Sequence, residues 1–158
     1  MPILTRRTFL ATSLAAAGAM PAMAREFSAV PVIRVTKDPN CGCCAGWVQH
    51  VRASGFRASV TETQDLAPLK ARLGVPASLA SCHTAEVEGY VLEGHVPAAA
   101  IKRLLIERPE AKGLAVPGMP VGSPGMEVGG VPDEAYEVIL FGPSGQRIFA
   151  RFRGGREI

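Results

Sequence analysis

Three cysteines packed into four residues, Cys41-Gly42-Cys43-Cys44, constrain this chain more than any other feature. They come after a β-branched, apolar run at residues 31–36 that reads as a buried strand. Lys37-Asp38-Pro39-Asn40 forms a turn, with Asn40 placed to cap a helix starting beyond it. Residues 43–53 read as that helix, with Trp47, Val48 and Val51 on one face and Ser54-Gly55 as the stop. The cysteines therefore sit where a strand hands over to a helix. Cys41 and Cys44, three residues apart, share a face there. The unpaired N–H groups and the dipole of a helix start favour thiolate.

That placement suits two chemistries, a redox pair and a soft-metal site, because the thiolate serves both. Cys43 weighs against a plain redox pair, which needs only two thiols. A Cys43–Cys44 bond would be strained, since adjacent Cα atoms lie about 3.8 Å apart and disulfides usually span about 4.4–6.8 Å. The fourth cysteine, Cys82, can take the leftover thiol, so Cys41–Cys44 with Cys43–Cys82 is arithmetically allowed. Alternatively all four form a thiolate cluster. Thiolates select Cu(I), zinc and iron–sulfur centres. Mononuclear zinc wants four ligands converging on one tetrahedron. Neighbours on a helix diverge by about 100°, which bridging thiolates on several Cu(I) ions tolerate better. The preferred reading is copper, with disulfide redox and zinc as the alternatives.

The rest of the chain reads as strand 56–61, helix 65–73, a hairpin of strands 82–87 and 90–95 around Glu88-Gly89, and a helix 97–107 with Pro97 as its first residue. Residues 113–132 are so rich in Gly and Pro that neither a regular helix nor a central strand is expected there. Strands 136–141 and 147–152 close the chain as a hairpin around Gly142-Pro143-Ser144-Gly145. A βαβ unit followed by a β-hairpin and a helix is the thioredoxin-like arrangement of an α/β fold. In it a cysteine pair sits where the first strand meets its helix.

Residues 1–24 have the layout of a signal peptide: Arg6-Arg7, then an uncharged apolar stretch, then Pro21-Ala22-Met23-Ala24. Thr5-Arg6-Arg7-Thr8-Phe9-Leu10 resembles the twin-arginine export signal. The apolar stretch falls short of the about 20 residues that a membrane span needs. The expectation is one exported domain, 25–158, in the periplasm. The chain holds 17 Lys+Arg against 14 Asp+Glu. Two of the arginines belong to the leader, so the mature part is close to neutral and carries no electrostatic footprint for nucleic acid. No second apolar segment is long enough to span a membrane.

Four motifs, Cys41-Gly42-Cys43-Cys44, Ser81-Cys82-His83-Thr84, Glu93-Gly94-His95-Val96-Pro97 and the run from Val116 to Met126, together resemble domain-of-unknown-function family 411. The resemblance runs from about Val32 to about Arg151, and all four cysteines match. It implies a thioredoxin-like fold, a cysteine-bridged copper site of Cys41, Cys43, Cys44 and Cys82 holding more than one Cu(I), and a role in periplasmic copper handling. The partners implied are metal ions and other periplasmic copper-handling proteins.

Other residues stand beside these as candidates. His95 is a candidate further ligand, equally suited to bonding a turn. Met119 and Met126 are candidate soft ligands whose default role is packing. A lid carrying their thioethers would shield thiolates from oxidation, so the 113–132 segment is expected beside Cys41–Cys44. If Cys82 points into the site along a strand, His83 points to the opposite face. His50 reads as a solvated helix residue and Trp47 as core. No catalytic residues are assigned, since neither a Ser-His-Asp arrangement nor paired carboxylates can be argued.

Overall fold

The computed structural model describes residues 30–158, so the export signal expected at residues 1–24 lies outside the described residues. Val32–Lys37 (β1) turns Ile33, Val35 and Lys37 inward in alternation. Gly42–Ala53 (α1) buries Cys44, Trp47, Val48 and Val51, the stripe that a 3.6-residue period makes. Arg57–Glu62 (β2) returns parallel to β1. Ala67–Leu73 (α2) ends on Gly74 in the left-handed conformation, and a 3-10 turn spans Ala77–Leu79. His83–Val87 (β3) and Tyr90–Glu93 (β4) form an antiparallel hairpin. Glu88 and Gly89 both take positive φ at its turn, as a two-residue hairpin of this twist requires.

Ala98–Glu107 (α3) follows, then Gly113–Ala115 (β5), Ala135–Gly142 (β6), Gly145–Arg153 (β7) and the two-residue Arg156–Glu157 (β8). All eight strands form one sheet in the order β2-β1-β3-β4-β5-β6-β7-β8. The result is a mixed α/β architecture in which the expected βαβ unit, hairpin and helix succeed one another. The C-terminal hairpin is present and longer than expected.

Strand alternation sorts the core into two layers. Ile33, Val35, Ala85, Val87, Leu92, Leu114 and Val138 pack with Trp47 and Val51 of α1 and with Ile101 and Leu104 of α3. Val91, Ala115 and Phe141 face the other way, against Leu73 and Leu79. Thus α1 and α3 cover one face of the sheet, and α2 with its 3-10 turn covers part of the other.

Two expectations are corrected here. Gly113–Ala115 is a central strand, parallel to β4 and antiparallel to β6. Gly113 is there because it lacks a side chain: a Cβ would run into the main chain of Val91, so the glycine permits close approach rather than breaking the strand. Pro97 is the N-cap of α3 rather than its first residue, and its neighbour Ala98 finds a side-chain acceptor elsewhere.

Candidate metal centre

The start of α1 presents the first three sulfurs. Its N-cap is Cys41, not Asn40, because the Cys41 sulfur accepts from the Cys44 N–H at 3.3 Å while the Asn40 N–H donates to Asp38. Cys41 and Cys44 are joined in a disulfide, with Cα atoms 5.3 Å apart. Cys43 and Cys82 carry free thiols. The Cys43 sulfur lies 3.5 Å from that of Cys41. All four sulfurs lie within 4.8 Å of one another. Adjacent helix residues diverge, yet Cys43 and Cys44 both reach this one spot.

Cys82 comes from the opposite wall, just before β3. Because β3 begins at His83, strand alternation does not separate the two residues. The His83 Nδ1 lies 3.4 Å from the Cys82 sulfur, which corrects the expectation of an opposite face. His83 is fully buried against Trp47, with ring centroids 4.5 Å apart. His95 Nε2 lies 3.1 Å from the same sulfur. His95 therefore joins the site instead of merely bonding a turn. It also bonds a turn, since its Nδ1–H donates to the Pro124 carbonyl at 2.8 Å.

A buried ion pair holds this wall in place. The fully buried Glu93 accepts from the Ser81 N–H at 2.6 Å and from the Thr84 hydroxyl at 2.7 Å. Lys70 of α2 pairs with the same carboxylate and donates to Thr84 Oγ1 at 2.8 Å. The carboxylate thus grips both sides of Cys82-His83. Gly94 then reverses the chain so that His95 returns to Cys82. Its φ is +70°, and a Cβ there would come within 2.5 Å of the Ser81 hydroxyl. The sequence shows Thr84 and Glu93 only as members of two motifs, with no role of their own, and gives no sign of Lys70. A charged residue ending the apolar run Tyr90-Val91-Leu92 was the available signal.

The Gly/Pro-rich segment covers the site from a third side. Gly125 rests on the α1 backbone, where an added Cβ would come within 2.5 Å of the Cys43 carbonyl and 2.6 Å of the Trp47 nitrogen. Ser81 Oγ donates to the Gly118 carbonyl at 2.7 Å. Met119, half-exposed, lines one open cleft with Ala80, Ser81, Cys82 and Gly118. Met126 is partly buried in a turn in which its N–H donates to the Ser123 carbonyl. The segment does pack beside the cysteines, and of the two methionines Met119 shares a cleft with one of them.

Burial, followed by the neighbouring Cys43, pushes the Cys82 thiol up to about 11, so without a metal it is protonated. Burial, then the neighbouring His95 and Lys70, pushes His83 down to about 3, and burial also lowers His95. Both imidazoles are therefore neutral, the form that binds metals. The donor set suits a soft cation: four cysteine sulfurs, two of them joined in the disulfide, with neutral imidazoles beside them. His50, expected to be solvated, is half-buried instead. Its Nε2 accepts from the Ala98 N–H at 3.1 Å and so caps α3 from α1.

The family model described as "protein of unknown function, DUF411" matches residues 79–126, which include Cys82, Glu93 and His95. A solved structure titled copper resistance protein CopG, form 2, is 46% identical, with a TM-score of 0.74 over 78% of this chain and 99% of that one. Form 1 of the same title is 48% identical, with a TM-score of 0.72 over 78% and 98% of the respective chains. No curated protein matches the chain.

Proposed function

Since the chain belongs to the DUF411 family, together with the copper resistance proteins titled CopG, we propose that it is a periplasmic copper-binding protein of copper resistance. In this reading Cys41, Cys43, Cys44 and Cys82 hold more than one Cu(I) as bridging thiolates. The observation that carries it is the convergence of all four sulfurs within 4.8 Å. Copper, as cargo, takes the place of thiol protons. Filling all four positions requires that the Cys41–Cys44 bond first take up two electrons and two protons from a thiol reductant. His95 and Met119 stand at the edge of the sulfur group as further ligands.

The fold reading is thioredoxin-like. It is supported by the order β2-β1-β3-β4 with β1 and β2 parallel and β3 and β4 antiparallel. The flanking of the sheet by α1 and α3 on one face and α2 on the other agrees with it. Export by the twin-arginine route rests on the pattern at Arg6-Arg7. Among the described residues no helix is long and apolar enough to cross a membrane.

A second reading has an observation of its own: Cys41 and Cys44 are joined, as in the oxidised form of a thiol–disulfide oxidoreductase. Metal content and free-thiol count, measured after periplasmic purification without added metal, decide between them. Copper above one equivalent supports the cluster. Metal-free chain with a reducible Cys41–Cys44 bond supports the oxidoreductase. One zinc with every thiol engaged would make the centre structural instead.

A further inference from the structure

The last three strands hold an arrangement that folding alone does not favour. Arg153 of β7 and Arg156 of β8 stand directly opposite one another in the antiparallel register. Like charges placed so destabilise a sheet. Arg151 lies two residues before Arg153 and so on the same face. The carboxylates of these strands offer little relief. Glu137 is paired with Arg151, and Glu157 turns to Arg103. Asp133 packs over Gly154, in the turn between the two opposed arginines, yet among the described residues it forms no ion pair with either. Arg151, Arg153 and Arg156 thus share that face with a single carboxylate partner, Glu137.

Beside the arginines the face is apolar. On β6, Tyr136 and Val138 turn to the core, so Glu137 and Ile139 turn away from it. Ile139 stands opposite Ile148 of β7. The bulge after Val138 sets Ile148 and Arg151, three residues apart, on one side. Ile139 packs against the core layer that α2 and its 3-10 turn close, whereas Ile148 is 43% exposed. An apolar centre bordered by arginine is the composition of a protein docking surface. Spacing selects the partner. Arg151 and Arg153 are separated by about 6.6–6.8 Å along the strand. Side chains on one face of an extended peptide repeat at the same distance. Acidic residues at alternate positions therefore meet successive guanidiniums, each able to grip a carboxylate with two parallel hydrogen bonds.

We propose that the exposed face of β6, β7 and β8 docks an extended acidic segment of a partner protein, with alternate carboxylates on Arg151 and on the Arg153–Arg156 pair and an apolar side chain on Ile148. A carboxylate entering between Arg153 and Arg156 relieves their repulsion, so the opposition that weakens the free sheet strengthens the complex. This inference does not rest on the metal centre and holds whatever the cargo.

The probe is a fluorescently labelled peptide of alternating Glu and Val, with a peptide of alternating Lys and Val as its counterpart. Binding to the chain purified from the periplasm is read by anisotropy. The Glu peptide is expected to bind and the Lys peptide not, with affinity falling as salt is raised. Arg156→Glu faces Arg153 with a carboxylate across the strands. It should raise the thermal midpoint and weaken the Glu peptide about fivefold to tenfold, the scale of two exposed ion pairs lost. Arg57→Glu, on the strand at the other edge of the sheet, makes the same change of charge and should leave the affinity unchanged. Amide shifts of the wild-type chain during the titration need no variant, so an unfolded Arg156→Glu leaves the test standing. They should cluster on β7 and β8. No binding of the Glu peptide, equal binding of both peptides, or shifts clustered elsewhere would overturn the proposal. So would equal weakening in both variants, or wild-type affinity in Arg156→Glu. Uptake of the chain by phosphatidylglycerol vesicles without uptake of the peptide would give the face to a membrane and overturn it as well.

Discussion

The two walls of the centre deliver sulfur to one point by opposite means. The α1 wall is local: Cys41, Cys43 and Cys44 are placed by a single helix start, and the backbone that positions them is its own scaffold. The β3 wall is assembled from distant pieces. Cys82 is held by Glu93 and Lys70, flanked by His83 and His95, and backed by Pro124. A local wall tolerates change outside itself, whereas an assembled wall fails when any support fails. The difference teaches where damage should travel.

The largest effect expected is on metal content. Cys43→Ser should lose most bound copper and leave the fold intact, because a bridging thiolate holds more than one ion; atomic absorption on the purified variant measures this. Copper retained at the wild-type ratio would mean that the helix wall supplies only a pair. Next is the support of the other wall. Glu93→Ala leaves the Lys70 ammonium buried without its partner and should cost about 3–5 kcal/mol in denaturant unfolding. Lys70→Met with Glu93→Leu should recover most of that, since replacing a whole buried pair with apolar groups is close to neutral. Copper affinity should not recover, because Ser81 and Thr84 remain unanchored. Recovery of both would reduce the ion pair to a stability element.

A smaller effect is expected where the third side touches the first. Gly125→Ala places a methyl against the Cys43 carbonyl at a φ of +88°. It should lower stability by about 1–3 kcal/mol. Gly130→Ala, at a φ of +78° with nothing within 4 Å of its Cβ, serves as the matched control. Equal thermal midpoints for the two would show that the segment does not clamp α1. The smallest effect concerns His50, which lies on α1 but caps α3. Burial holds its folded pKa below the ordinary value of 6.5, against the opposing pull of Glu127. The unfolded chain therefore binds more protons, and stability is lost as pH falls below about 6.5. His50→Gln should flatten that part of the stability profile. A slope unchanged from wild type would place the pH dependence elsewhere.

Legibility in one dimension divides along the same line. Periodicity and the cysteine spacing reveal the helix wall, because everything that places those thiols lies within a dozen residues. The cap falls one position beyond the expected one, because residue preference favours Asn, whereas the chain uses the sulfur of Cys41. The other wall is legible only as a set of motifs. Alternation along β3 fails at Cys82 because the strand starts one residue later, and Glu93 shows no role until β3 and β4 pair it with Ser81 and Thr84. Gly113 misleads because a glycine that breaks a strand and one that lets two strands approach closely look alike without the neighbouring strand.

Trp47 ties the two walls together. It is the one tryptophan of the chain, it belongs to α1, and its indole N–H donates to the Val96 carbonyl, one residue beyond His95. Its ring lies 4.5 Å from that of His83. At such separation an excited indole loses its energy readily to a bound open-shell ion or to a neighbouring sulfur. Emission from this single indole is therefore expected to change with the state of the sulfurs and imidazoles beside it, and to be readable without a label.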